Sequence, residues 1–480
     1  MKSKQISLGY ALLPILILVI LLSYNVIVFG DDALSGSNQF ILLLGGAVAA
    51  IVGFKWKISY EVMLKKVAGN LQSVTGALLI LLFVGALAGT WLVSGIIPAM
   101  IYYGLQILHP SIFLPACIII CAIISLATGS SWTTSATVGI ALIGIGKVLG
   151  IPVGMVAGAV ISGAYFGDKL SPLSDTTNLA PAMAGGELFS HIRYMTLTTV
   201  PSILVTLVVF FIISFTQTTA GTADIDSLML AIKDKFTINF SLFLVPAVVV
   251  FLIVRKAPPL VALLIGTLLG GLFALIFQKD ILIEVAQASS FSFEVAYKGI
   301  MNAITVATEV KTTNPLLNDL FSSGGMEGML GTIWLIMCAM VFGGIMDAIG
   351  ALARISNALL SWATSTFQLF ASTVASCLAI NLTASDQYLS IVIPGKMFAE
   401  AYKKRGLAPE NLSRTLEDSG TVTSVLIPWN TCGAYQSGVL GVGVGEYFIY
   451  AIFNWLSPFM TLLYAAFKIK IAARKDAIAQ

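Results

Sequence analysis

Apolar residues run through this chain in long stretches, and its polar residues collect into a few short clusters. A bilayer is crossed by a helix of about 20 apolar residues. On that length the pattern predicts ten crossings, at 8–29, 39–54, 74–97, 152–186, 194–215, 240–254, 259–277, 328–347, 411–440 and 446–467. Two further apolar stretches, 112–149 and 364–399, are interrupted halfway by a polar cluster and read as re-entrant hairpins. The segment 60–71, where Lys65 and Lys66 sit beside Val62, Met63, Leu64 and Val67, reads as a helix lying on the inner surface. The segment 278–325 and the loop around Lys403, Lys404 and Arg405 read as solvated connectors. The first run is too long for a signal-peptide core and is kept as a span.

Composition supports the pattern. Of 480 residues, 58% are hydrophobic and 10% charged, too few polar residues to coat a soluble surface. The expectation is an all-α polytopic membrane protein embedded in the lipid bilayer. A net charge of +3 is close to balance and argues against nucleic acid as a partner. Cys117, Cys121, Cys338, Cys377 and Cys432 lie in apolar stretches without ligand or disulfide spacing, so they read as small core residues. His109 and His191 are the two histidines, so no histidine-rich metal site is available, and neither GxSxG nor HExxH occurs. The expected chain is therefore no enzyme and needs no cofactor.

Lys and Arg set the orientation. With the N-terminus inside, 19 of the 26 fall in inner segments, Lys147, Lys233, Lys235, Lys279, Lys298 and Lys311 fall outside, and Lys169 sits at membrane depth. Asp31, Asp32, Asp224, Asp226 and Asp234 fall in outer loops. Both termini are expected in the cytoplasm, with the protein multi-pass in the cell inner membrane.

The halves of the chain carry the same parts in the same order. A long span (74–97, then 328–347) precedes a hairpin with small polar residues at its centre, 128–135 in the first half and 381–387 in the second. A crossing with carboxylates and a break follows, then an uninterrupted span containing Pro201 or Pro458. Asp168 and Asp418 are 250 positions apart, as are Ser174 and Ser424. The orientation makes this an inverted repeat, the arrangement that gives a carrier two related conformations. The chain divides into N-terminal spans and the interfacial helix (1–73), a first repeat (74–215, hairpin 112–149, broken helix 152–186) and linking spans with the long outer loop (216–327). A second repeat (328–467, hairpin 364–399, broken helix 411–440) and a cytoplasmic tail (468–480) complete it.

Breaks at membrane depth must line a cavity or lie within protein. Residues 167–181 and 417–433 carry Pro, Gly, hydroxyls and acids together, which frees carbonyls and supplies oxygen ligands suited to sodium. The two hairpin tips and the two breaks are expected to meet at the midplane. Ser130, Ser131, Thr133, Asp175, Thr176, Asn178, Asp386, Asn430 and Thr431 are the candidate ion ligands, and Asp168, Asp175 and Asp418 the candidate proton carriers. Acids buried at a helix centre cost about 2.5–3.5 kcal/mol, so their presence asks for a function. Burial favours the protonated form of a carboxylate and a bound cation favours the ionised one, so proton and sodium compete for one site. Asp168 beside Lys169 also reads as a neutralising pair, and Asp347 and Glu187 as acids that reach interfacial water. Lys169 is the only deep cation expected, so an anionic substrate would rely on helix ends. The turn 441–445 reads as an outer loop.

The stretches 166–181 and 411–421, with 427–435 and Phe342-Gly343-Gly344, resemble the NhaC family of sodium/proton antiporters. The resemblance runs over nearly the whole chain from about residue 40. It implies a carrier with sodium and protons as substrates, a scaffold and a moving transport domain, an elevator motion and a homodimer. The family also holds carriers exchanging malate for sodium and lactate, so a sodium-coupled exchanger of small organic anions is the alternative. A channel is the alternative from another class, and Glu309 and Asp319 remain unassigned.

Overall fold

Proline and capping side chains fix where the helices begin. Pro110, Pro259 and Pro409 open their helices at the first turn, where a missing N–H costs nothing. Ser59 caps Tyr60–Val93, and Ser365 and Gln368 form a reciprocal capping box on Thr366–Thr383. A computed structural model describes residues 6–29, 33, 36–107, 109–216, 225–312 and 314–474. Lys2, Lys4, Lys475, Asp31, Asp32 and Asp224, used in the charge count, lie outside the described residues, as does the side chain of Asp319.

The chain is an all-α, multi-pass membrane protein. Among the described residues eight helices are long and apolar enough to cross a membrane: Leu8–Phe29, Ser37–Lys55, Tyr60–Val93, Pro110–Thr128, Leu188–Phe215, Pro259–Phe277, Glu327–Ala348 and Thr366–Thr383. Leu16, Ile20 and Ile27 of the first, and Leu204, Val208 and Phe215 of the fifth, are exposed at the outer surface, as lipid-facing side chains are.

This differs from ten uniform crossings in specific places. The expected crossings 152–186 and 411–440 are each split into short helices, Val153–Leu170 with Asp175–Ala184, and Pro409–Leu416 with Thr431–Leu440. Residues 240–254 form a 3-10 turn and an 11-residue helix, bent by 85° from the helix before. The last apolar run gives Ile452–Ala466, of 15 residues. The surface helix expected at 60–71 is instead the first two turns and more of one continuous 34-residue helix, Tyr60–Val93. Nothing breaks it, because Ser73 and Thr75 return their hydroxyls to the carbonyls of Asn70 and Leu71. The span ends at Val93, since Gly95 takes φ +80 and a separate helix, Ile96–Ile107, follows.

The segment 278–325 is built structure. It contains helices Lys279–Val285 and Phe293–Thr305 and an antiparallel pairing of Thr308 with Ser323 and Glu309 with Ser322. Val310, Leu317 and Phe321 are buried there, and Gly89 of the long helix lies against the carbonyl of Ala303. Glu309 is exposed.

The stretches expected as re-entrant hairpins begin with helices, Pro110–Thr128 and Thr366–Thr383, that are each long and apolar enough to cross a membrane. A side-chain contact joins each to the helix after its interruption. Phe113 lies 3.2 Å from where a side chain on Gly146 would begin, and Phe370 packs edge-on against Tyr402 at 5.3 Å between ring centroids. Small residues set the depth of packing: any side chain at Gly163 or Gly167 would strike the backbone of Ile118 or Ala122. The broken helix of the first half therefore lies directly on the first hairpin arm.

Candidate functional site

Each hairpin tip is a helix stop followed by a new N-cap. Pro110–Thr128 stops at Gly129 with φ +72, and Ser130 then caps the next turn by accepting the Thr133 N–H at 3.2 Å. Thr366–Thr383 stops at Ala384, Ser385 takes φ +59, and Asp386 caps Gln387–Lys404 by accepting the Leu389 N–H at 2.9 Å. A non-glycine residue held in the left-handed region marks local strain of about 1–3 kcal/mol, often found at functional sites.

The two breaks follow the same rule. Val153–Leu170 ends at Ser171, and Ser174 caps Asp175–Ala184. Pro409–Leu416 passes into a π-helix, Glu417–Thr421, and Asn430 then caps Thr431–Leu440. π-turns insert one residue and recur at functional sites.

Tips and breaks interlock. Asp168, at the end of its helix, accepts the Ser131 N–H at 3.0 Å and the Ser131 hydroxyl at 2.6 Å, so the first break holds the first tip. The Thr431 N–H donates to the Ser385 carbonyl at 2.9 Å, so the second break holds the second tip. Trp132 of the first tip stacks on Tyr435 of the second break at 3.9 Å, and the Tyr435 hydroxyl donates to the Trp132 carbonyl at 3.2 Å.

Where the four meet lies a cavity of about 680 Å³. Thr128, Ser130 and Thr133 line it from the first tip, and Asp168, Ser174, Asp175 and Thr176 from the first break. Asp386 and Gln387 line it from the second tip, and Thr431 from the second break. Three carboxylates thus face one space. Ser73, Val74, Gly76 and Ala77 of the long helix line it as well, as do Ile253 and the residues Lys256–Leu260. Among the described residues no three His, Cys, Asp or Glu side chains lie close enough together to hold one metal ion. The three acids are therefore spread along the wall, and any one of them would share a cation with hydroxyls and carbonyls.

Several expected residues stand elsewhere. Ser131 supports Asp168 and does not line the cavity. Asn178 donates to the carbonyls of Pro172 and Ser174 at 2.9 and 2.7 Å, tying the first break to its own helix. Asn430 is buried, donating to Asn381 and capping Cys432. Their amides satisfy freed backbone groups, which is why they face away from the cavity. Asp418 also lies outside it. It is fully buried and pairs with Lys169, so the partner of Lys169 is Asp418 rather than its neighbour Asp168. Asp168 and Asp175 do not share a helix face, because the chain breaks between them at Ser171–Leu173.

Lys169 is not the only deep cation. Arg414 is fully buried as well, its guanidinium over the ring of Tyr194 at 4.6 Å. Asp347 pairs with Lys66 at 2.8 Å, partly exposed, and Glu187 is exposed, in line with acids near helix ends. All five cysteines are buried thiols. Gly441 ends its helix at φ +64, and the residues to 443 form a turn. Lys256, Gln387, Tyr388 and Ser174 line the cavity without having been proposed from the sequence as ligands. Gln387 adjoins Asp386 and Ser174 adjoins Asp175, so proximity to the polar clusters was the available signal.

Residues 163–469 match the family described as the Na+/H+ antiporter family. A protein of Alkalihalophilus pseudofirmus named Na(+)/H(+) antiporter NhaC is 37% identical over 429 residues, covering 89% of this chain and 90% of that one. A Bacillus subtilis protein named malate-2H(+)/Na(+)-lactate antiporter is 36% identical over 422 residues, covering 87% and 86%. A second B. subtilis protein, named Na(+)/H(+) antiporter NhaC, is 36% identical over 419 residues, covering 87% and 88%. With its motif residues inside the matched region and these relatives spanning most of its length, the chain belongs to the NhaC-type Na+/H+ antiporter family.

Proposed function

We propose that this protein exchanges sodium for protons across the cytoplasmic membrane by alternating access. The observation that carries the reading is the cavity in which four helix interruptions, two from each half, bring Asp168, Asp175 and Asp386 beside the hydroxyls of Ser130, Thr133, Thr176 and Thr431. Hydroxyls, carbonyls and a carboxylate form a hard oxygen environment for sodium. Protons and sodium ions compete for the same acids, and that competition alone couples their opposite movements. Asp168 and Asp175 are the proton carriers in this reading, joined by Asp386. The residues 163–469 that match the antiporter family contain both breaks and the second tip, which supports it.

The excess of Lys and Arg in the segments taken as inner supports a reading with both termini in the cytoplasm. Arg255 and Lys256 then lie inside, and Lys256 lines the cavity, so in this reading the cavity opens inward. The two hairpins re-enter from opposite sides and move with the breaks as one transport domain, an elevator motion within a homodimer. The experiment is reconstitution in liposomes with an imposed pH gradient. Adding sodium is expected to collapse the gradient. Current down a sodium gradient at fixed pH, far faster than a carrier cycle, points to a pore instead.

A second reading has a specific observation behind it. A space of about 680 Å³ exceeds what a sodium ion occupies, and a relative 36% identical is named a malate-2H(+)/Na(+)-lactate antiporter. Acceleration only when lactate or malate accompanies sodium would favour a sodium-coupled organic-anion exchanger.

A further inference from the structure

Asp168 and Asp418 lie 250 positions apart, at the two breaks, and their surroundings are opposite. Asp168 faces the cavity and holds Ser131, whereas Asp418 is closed off from solvent. One Asp418 oxygen accepts the ammonium of Lys169, and the other accepts the hydroxyls of Thr198, at 2.8 Å, and Thr461. Lys169 directly follows Asp168, so the same helix end is gripped on two sides, by Ser131 toward the cavity and by Asp418 away from it. The Thr177 hydroxyl donates to the carbonyls of Asp168 and Lys169 at 3.3 and 3.1 Å, folding the next helix back onto this end. The break at Ser171 comes immediately after. Asp418 thereby joins the Val153–Leu170, Leu188–Thr216 and Ile452–Ala466 helices to the π-helix on which it sits.

The other charged or titratable groups around the pair are buried too. Glu417 is the neighbour on the π-helix, and neither of its oxygens has a hydrogen-bond partner among the described residues. His191, on the Leu188–Thr216 helix, shares a hydrogen bond with Ser413 at 2.8 Å. Arg414 lies one turn earlier, stacked on Tyr194. A buried ion pair is a poor device for stability, because apolar residues of similar size often serve as well; its best-attested use is to fix one arrangement.

We propose that the Lys169–Asp418 pair is a positioning device: it holds the helix end that presents Asp168 to the cavity, and Asp418 carries no transported proton. This rests on the reading that Asp168 acts in ion exchange. The test compares Lys169→Met, Asp418→Asn and the double variant in the liposome assay, with sodium KM, maximal rate and pH profile measured for each. Removing one partner leaves a buried charge unpaired, so each single variant is expected to lose at least about tenfold in rate and to raise the sodium KM. The double variant is expected to recover to within about threefold of the parent, a non-additive response of coupled partners, with the pH profile unmoved. Thr461→Val removes one hydroxyl from Asp418 without stranding a charge. It serves where the single variants do not fold, and should raise the sodium KM about two- to fivefold with the pH profile unmoved.

A double variant that folds, by its melting temperature, but is as slow as the singles overturns the proposal. So does an Asp418→Asn or Thr461→Val protein with a shifted or flattened pH profile, which would make Asp418 a proton carrier. Failure of the exchange reading is distinguishable, since the parent protein would then show no sodium-driven proton movement.

Discussion

Gly129 offers the sharpest test that tip and break must fit together. It sits at φ +72, where a residue with a side chain costs about 1–2 kcal/mol. A methyl group there would also lie 2.6 Å from the Leu173 Cβ, 2.7 Å from the Leu173 carbonyl carbon and 2.9 Å from the Ser174 nitrogen. Two of those atoms are backbone of the first break, so the strand of chain that aims Ser174 and Asp175 must shift. Overpacking of this kind costs about 1–3 kcal/mol. Gly129→Ala therefore carries roughly 2–5 kcal/mol against the assembled site. At about 1.36 kcal/mol per tenfold, the assembled population falls between about 30-fold and a few thousandfold.

Gly441→Ala is the matched control: φ +64, with nothing within 4 Å of the added methyl. It meets the backbone cost but not the collision, and it lies away from the cavity. The assay is sodium-driven collapse of a pH gradient in liposomes, normalised to folded protein. Gly129→Ala is expected to fall at least about tenfold below Gly441→Ala. Rates within about threefold of each other would refute the fitted contact between tip and break.

Asp175→Asn should abolish exchange, measured as loss of sodium-driven proton flux, while the fold stands. Asp175 occupies the first turn of its helix next to the Ser174 cap, where losing the charge costs only about 0.3–1 kcal/mol. Retained exchange with an unchanged pH profile would remove it from the proton carriers. Asp386→Asn keeps an N-cap acceptor of equal quality, so the second tip should hold its shape and melting temperature. Its sodium KM should still rise at least about tenfold through loss of charge, and an unchanged KM would count against a role for this carboxylate. Sodium KM in the parent should rise as pH falls, since ionised oxygens bind sodium and protonated ones do not. A pH-independent KM would speak against competition.

Much of the site could be read from the chain because its physics is local. Short polar side chains in a cluster at membrane depth are the residues that cap a new helix, and Ser130, Ser174, Asp386 and Asn430 all do so. Which side chains then face the cavity depends on packing between distant segments. Asn178 and Asn430 look like ligands by type, but each donates its amide to backbone carbonyls near its break, Asn178 to Pro172 and Ser174 and Asn430 to Asn381. Lys169 finds its carboxylate 249 positions away rather than next door, and nothing in the spacing reveals that. Arg414 lies in a segment that charge counting places in water, yet it is buried against two tyrosines. Helix lengths misled where polarity was mistaken for an end: Lys65 and Lys66 suggested a surface helix, but a helix of 34 residues, about 51 Å, projects beyond a bilayer core of about 30 Å and keeps them in water.

The claim on which the rest stands is that one cavity holds either protons or sodium. Calorimetric titration of the purified protein with sodium chloride, in two buffers of different ionisation enthalpy, measures it directly. Sodium binding is expected to release protons, with a heat that differs between the buffers and a signal that Asp175→Asn removes. Sodium binding with no proton release, or no sodium binding at any pH, would contradict it.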